Sequence, residues 1–133
     1  MSRALTIFFV ADQARSCAFW SSALDAAPVL DVPGMTEFDL PGGGGLGLMP
    51  ETGMRRLLDL PLPDGHAVAA SHAPRAELYL RVPDPYAALE RAIAAGAQCI
   101  SPVSERNWGE RAGYCLDPDG YLLAFAAAPS SLR

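Results

Sequence analysis

The chain repeats itself. Val10-Ala11-Asp12 and Val82-Pro83-Asp84 stand 72 residues apart, and each triplet closes an apolar run and opens a stretch with helical spacing. At the same offset Cys17 aligns with Leu89, Trp20 with Ala92 and Leu24 with Gly96. Leu5 to Val10 is rich in β-favouring residues. Asp12 is a good N-cap, and Cys17, Trp20 and Leu24 recur on one helical face until Asp25-Ala26-Ala27-Pro28 ends the run. Val29 to Val32, Glu37 to Leu40 and Leu46 to Met49 read as short strands around the turns at Pro33-Gly34 and Gly42 to Gly45. The second copy follows the same order. Glu77 to Val82 is a strand, Asp84-Pro85 opens a helix that Ala95-Gly96-Ala97 closes, and Gln98 to Val103 is a strand.

The last piece is the firmest. In the stretch from Ser104 to Ala126, Pro118 presets a turn, Asp117 and Asp119 can bond neighbouring backbone, and Gly120 accepts a left-handed conformation. The flanking AGYCL and YLLAFA segments are strand-like, so the stretch is a hairpin. Each copy is therefore βαβββ. The expected class is α+β: two βαβββ modules that cannot close alone and pair into a cupped mixed sheet with a cleft. One domain is expected over residues 1–133, with a first module at 1–50, a linker at 51–74 and a second module at 75–128. That linker is Pro-rich, holds both His66 and His72, and has room for a short helix at Met54 to Leu58.

Composition removes several function classes. All ten basic residues are Arg, which excludes a lysine Schiff base and the P-loop lysine. A net charge of −5 without a basic cluster argues against nucleic acid as a partner. No apolar run approaches the roughly 20 residues that span a bilayer, and no secretory pattern opens the chain, so no membrane partner and a cytoplasmic location are expected. Cys17, Cys99 and Cys115 lack CxxC spacing and read as reduced, buried thiols. No GxSxG is present, and the Gly42 to Gly45 run joins two strands rather than opening a helix, so it is not a phosphate loop. High Ala and Arg without Lys points to a G+C-rich bacterial genome.

The twice-used V-x-D junction, the Phe19-Trp20 pair, Ala95-Gly96-Ala97, Trp108-Gly109 and Asp117-Pro118-Asp119-Gly120, in this order, resemble the vicinal oxygen chelate superfamily. That superfamily includes glyoxalase I, bleomycin-resistance proteins, fosfomycin-resistance enzymes and extradiol dioxygenases. The Trp-Gly and DPDG segments are most similar to the bleomycin-resistance-like members. The resemblance implies paired βαβββ modules around a cupped pocket, often in a homodimer, with four side chains binding a divalent ion in the metal-using members. The ligand positions it implies hold Leu5, Glu77 and Ala124. The fourth strand offers only Leu46-Gly47-Leu48-Met49, with Glu51 beyond it. One carboxylate does not hold a divalent ion against water, so no metal and no other cofactor are expected.

Strand alternation selects the cleft walls. Leu78, Leu80 and Val82 form an apolar set suited to lie under a helix, leaving Glu77, Tyr79 and Arg81 on the other face. Leu5, Ile7 and Phe9 share a face of the first strand, and Leu122, Ala124 and Ala126 one of the last. The candidate ligand-binding residues are accordingly Glu77, Tyr79, Arg81, Trp108, Phe9 and Ile7. Glu77 reads either as an anchor or general base, and so as the one catalytic candidate, or as half of an ion pair at a junction. Arg81 reads more readily as structural. Trp108 either stacks on a planar ligand or closes the hairpin. Tyr114, Tyr121 and Phe125 are expected in the core, and His66 and His72 on a loop surface. Three functions stay open: a metal-free protein that sequesters a small organic molecule, a glyoxalase-like lyase or isomerase with Glu77 as base or metal ligand, and an assembly protein with a vestigial cleft.

Overall fold

The computed structural model describes residues 3–58 and 74–129. The first module runs β1 (Leu5–Val10), α1 (Gln13–Leu24), β2 (Leu30–Val32), β3 (Met35–Asp39), β4 (Gly45–Pro50). The second runs β5 (Glu77–Arg81), α3 (Pro85–Ala94), β6 (Gln98–Glu105), β7 (Arg111–Leu116), β8 (Leu122–Ala127). Between them α2 (Glu51–Leu58) follows β4 directly, starting three residues before the expected helix and taking in the first part of the expected linker. The rest of that linker, with His66 and His72, lies outside the described residues.

Duplication in sequence reappears as duplication in capping. Asp12 accepts a hydrogen bond from the Arg15 amide at 3.0 Å, and Asp84 accepts one from the Ala87 amide at 3.2 Å. Each bond satisfies a donor that a helix N-terminus would otherwise leave orphaned. Pro85 adds a first-turn φ already suited to α3. Asp25 ends α1 in the left-handed region, with φ 53°.

Each module forms a four-stranded mixed sheet, in the order β1-β4-β3-β2 and β5-β8-β7-β6. The pairs β1–β4 and β5–β8 are parallel and the others antiparallel. The fold is thus α+β, as the repeat predicts. One face of each sheet is covered by helices. Val10, Phe38, Leu46 and Leu48 from the first sheet join Leu80, Cys115, Leu123 and Phe125 from the second, together with Phe19 and Trp20 of α1 and Leu89 of α3, in one apolar cluster. Phe125 is core as expected, and Leu78 and Val82 pack against the same cluster.

The modules are clasped by the Asp117-Pro118-Asp119-Gly120 turn. Asp117 Oδ1 accepts from the amides of Asp119 and Tyr121 at 2.9 and 2.8 Å, which sets the shape of the turn. Asp119 Oδ1 then accepts from the Ala11 amide at 3.0 Å and from Arg15 Nη2 at 3.3 Å, both in the first module. The Tyr121 hydroxyl accepts from the Phe9 amide at 3.0 Å and donates to the Phe9 carbonyl at 2.8 Å. Its ring stacks on Phe8, with centroids 4.0 Å apart and planes within 2°. Tyr121 is therefore half-buried at the seam rather than in the core proper, because its hydroxyl answers two backbone groups on β1.

Two other expectations change. Cys115 is buried and Cys17 half-buried, but Cys99 is exposed, since β6 is the outer strand of its sheet. Tyr114 lies outside the core. Its register partner is Ala124, whose own partner is Tyr79, so all three share the face away from the helices. There Arg106 sits 5.1 Å from the Tyr114 ring centroid.

Candidate functional site

Two separate groups of residues stand out, one at the seam between the modules and one on the open face of the second sheet. The first is a cavity of about 490 Å³ at the seam between the modules. Ile7, Phe8 and Phe9 of β1 form one side, Glu77 and Leu78 at the start of β5 another, and Tyr121 and Leu122 close it. Arg75 and Thr6 complete its polar contribution with Glu77. The wall is mostly aromatic and aliphatic, with both signs of charge at one edge. Such a volume and lining suit a small organic molecule.

The second group lies further along β5. The loop between β6 and β7 folds back over the sheet, fixed by the Arg106 amide bonding the Glu110 carbonyl at 2.9 Å. Trp108 Nε1 donates to the Tyr79 hydroxyl at 2.9 Å, and that hydroxyl donates to Glu110 Oε1 at 2.6 Å. Arg81 Nε donates to Glu110 Oε2 at 2.8 Å, while its guanidinium lies 5.3 Å from the Tyr79 ring centroid. The hydrogen bond from Arg81, then that from Tyr79, holds the Glu110 carboxyl below the usual carboxylate range. Partial burial, reinforced by the neighbouring Glu110, pushes the Tyr79 phenol up. A carboxylate so stabilised in its charged form makes a weak base, and a phenol so raised a weak acid.

The six candidate residues thus divide. Glu77, Ile7 and Phe9 line the cavity, whereas Tyr79, Arg81 and Trp108 join the Glu110 network. Strand parity places the five strand residues on open faces, with Trp108 in a loop outside its reach, and does not say which stretches meet. Phe8, Tyr121 and Arg75 line the cavity and were not among the candidates. Nor was Glu110, a single acid in a polar turn whose role depends on the hairpin folding back onto β5. Losing the shared hydroxyl has a visible consequence. Tyr79→Phe removes the acceptor of the Trp108 indole, and in a Trp20→Phe background the fluorescence emission is expected to shift to the red with the fold retained. Unchanged emission would mean that the network does not position the indole.

The metal positions that the resemblance implies do not fit an ion. Leu5 faces Gly45 across β1–β4, with the Arg3 guanidinium lying over that glycine and paired to Glu37 at 3.3 Å and Asp39 at 3.2 Å. Ala124 sits between Tyr79 and Tyr114 on the second sheet, and Glu51 belongs to α2. Among the described residues no group of three or more His, Cys, Asp or Glu is arranged to hold a metal. No described helix is long and apolar enough to cross a membrane.

Known proteins place the chain. Residues 4–125 match the model of the Glyoxalase/Bleomycin resistance protein/Dioxygenase superfamily. No curated protein sequence matches. A glyoxalase-related enzyme from Fulvimarina pelagi superposes with a TM-score of 0.78 at 22% identity, covering 97% of this chain and 89% of that one. A family enzyme from Burkholderia phytofirmans PsJN gives 0.76 at 17% identity over 95% and 98% of the two chains. A glyoxalase/bleomycin resistance protein from Catenulispora acidiphila DSM 44928 gives 0.64 at 24% identity over 97% and 100%. At these identities the superpositions speak to the fold alone. With the family match over nearly the whole length, two βαβββ modules and the parallel β1–β4 and β5–β8 pairs, the chain belongs to the glyoxalase/bleomycin resistance protein/dioxygenase superfamily.

Proposed function

We propose that the protein binds a small organic molecule in the seam cavity and sequesters it, making and breaking no bond. The observation that carries this reading is the cavity itself, about 490 Å³ and walled by Ile7, Phe8, Phe9, Tyr121 and Leu122. A ligand with a flat apolar body suits the walls, and a cationic or amphoteric substituent suits Glu77 and Arg75 at the edge; antibiotics and related secondary metabolites include many such molecules. The lyase or isomerase reading asks Glu77 to act as base or metal ligand. Glu77 is exposed, and among the described residues it has no companion ligands to complete a metal site. Pairing of two copies belongs to the same proposal: Leu5, Ile7, Leu30 and Val32 remain exposed on the open face of the first sheet, a surface a second protomer would cover.

Thermal-shift screening against a panel of planar and cationic metabolites and antibiotics tests the reading. A ligand at 100 times its Kd stabilises by about 2.7 kcal/mol, a rise of several degrees in Tm. Ile7→Trp and Leu122→Trp, which fill the cavity from opposite sides, are expected to abolish the shift. A panel without a hit, or a hit indifferent to both variants, would remove the support for this function.

A further inference from the structure

We propose that Cys99 and Cys115 are a reactive pair that closes into a cross-strand disulfide on meeting a small-molecule disulfide such as oxidised glutathione. Both are free thiols, and they are direct register partners across the antiparallel β6–β7 pair. Residues directly opposed in such a pair project from the same face of the sheet, with Cα atoms about 4.5–5.5 Å apart. A disulfide spans Cα separations of roughly 4.4–6.8 Å, so the backbone already stands where the bond needs it. The β6–β7 register breaks just after Cys99, between it and Ser101, which lets the outer strand adjust as the two sulfurs close.

The two thiols have different roles. Cys99 is exposed on the outer strand and is the one a reagent in solution reaches. Cys115 is wholly buried, and desolvation pushes its thiol up to about 12, so it does not react first. The Cys99 thiolate attacks one sulfur of the small disulfide, forming a mixed disulfide and expelling one thiolate. Cys115 then attacks the Cys99 sulfur and breaks that mixed bond. Its proton passes to the second departing thiolate. The protein loses two hydrogens, and the small disulfide becomes two thiols. Holding the second sulfur beside the first offsets its poor ionisation, as an intramolecular step does in general. Cys17 has no such partner; it lies on α1 with its thiol toward Asp31. The ring that closes, residues 99 to 115, is the hairpin carrying Arg106, Trp108 and Glu110.

The experiment uses the full chain, reduced and then incubated with oxidised glutathione. Trypsin cuts at Arg106 and Arg111, so Cys99 and Cys115 leave on different peptides unless a bond joins them. The expected product is the joined peptide pair, two hydrogens lighter than the reduced pair and separated again by dithiothreitol. Its formation should raise Tm by about 10 °C, as closing a loop of this size does. Cys17→Ser should leave the reaction intact and Cys99→Ser abolish it. A stable glutathione adduct on Cys99 with Cys115 still open to alkylation after unfolding, or a bridge that includes Cys17, would overturn the proposal.

Discussion

Replacing Trp20 by alanine is expected to lower the unfolding free energy by about 4 kcal/mol, the range in which large aromatic-to-alanine changes in a closed core fall. Trp20 is fully buried. Its ring meets Phe19 edge-on at 5.2 Å and Phe8 at 6.1 Å, and Phe8 is the ring that stacks on Tyr121 across the seam. Removing the indole therefore opens a void under α1 and loosens the contact that joins the modules. Against a total stability of about 5–15 kcal/mol such a loss is severe. Urea unfolding at neutral pH measures it, and Trp20→Phe, which keeps a ring in place, should lose much less. A loss under about 1 kcal/mol for the alanine variant would show that the core is not organised around this side chain.

The second large effect depends on pH. Asp117 is almost wholly buried, and desolvation raises its carboxyl from 3.8 to about 6, partly opposed by the backbone donors of the turn. Oδ1 accepts two amides, while Oδ2 has no hydrogen-bond partner. Trp20 Nε1 lies near enough to favour the charged form without meeting hydrogen-bond geometry. A carboxyl raised on folding binds its proton more tightly in the native state. Its contribution is therefore fully present below 3.8 and is lost as pH rises through about 6. The loss amounts to about 3 kcal/mol. Asp117→Asn keeps the Oδ1 acceptor and does not titrate. Between pH 4 and pH 6 the stability difference between variant and wild type should move by about 2 kcal/mol of that total in favour of the variant. Parallel stability curves across this window would contradict the assignment.

Local chemistry made much of this fold legible. Asp12 and Asp84 cap their helices through their own side chains, Pro118 and Gly120 make their own turn, and a period of two assigns Leu80 to the core and Glu77 to the open face. The residues that were misplaced are those whose position depends on strands distant in sequence. Cys99 is apolar enough for a core, but β6 is an outer strand. Tyr114 reads as core until its pairing with Ala124 sets it on the open face. For the candidate site, parity correctly separates the two faces of β5 but cannot show that the Trp108 hairpin folds back to take Tyr79 and Arg81 into a network with Glu110. The seam cavity is likewise a property of two sheet edges meeting, and Phe8 and Arg75 enter it from positions that no single-strand pattern marks.

The central claim is that the seam cavity holds a molecule without transforming it. Equilibrium dialysis of the purified protein with the best thermal-shift ligand, followed by mass spectrometry of what is released on unfolding, tests it most directly. The account predicts saturable binding, recovery of the ligand unchanged after long incubation, and loss of binding in Ile7→Trp. Recovery of a product formed in excess of the protein, dependent on Glu77, would contradict it.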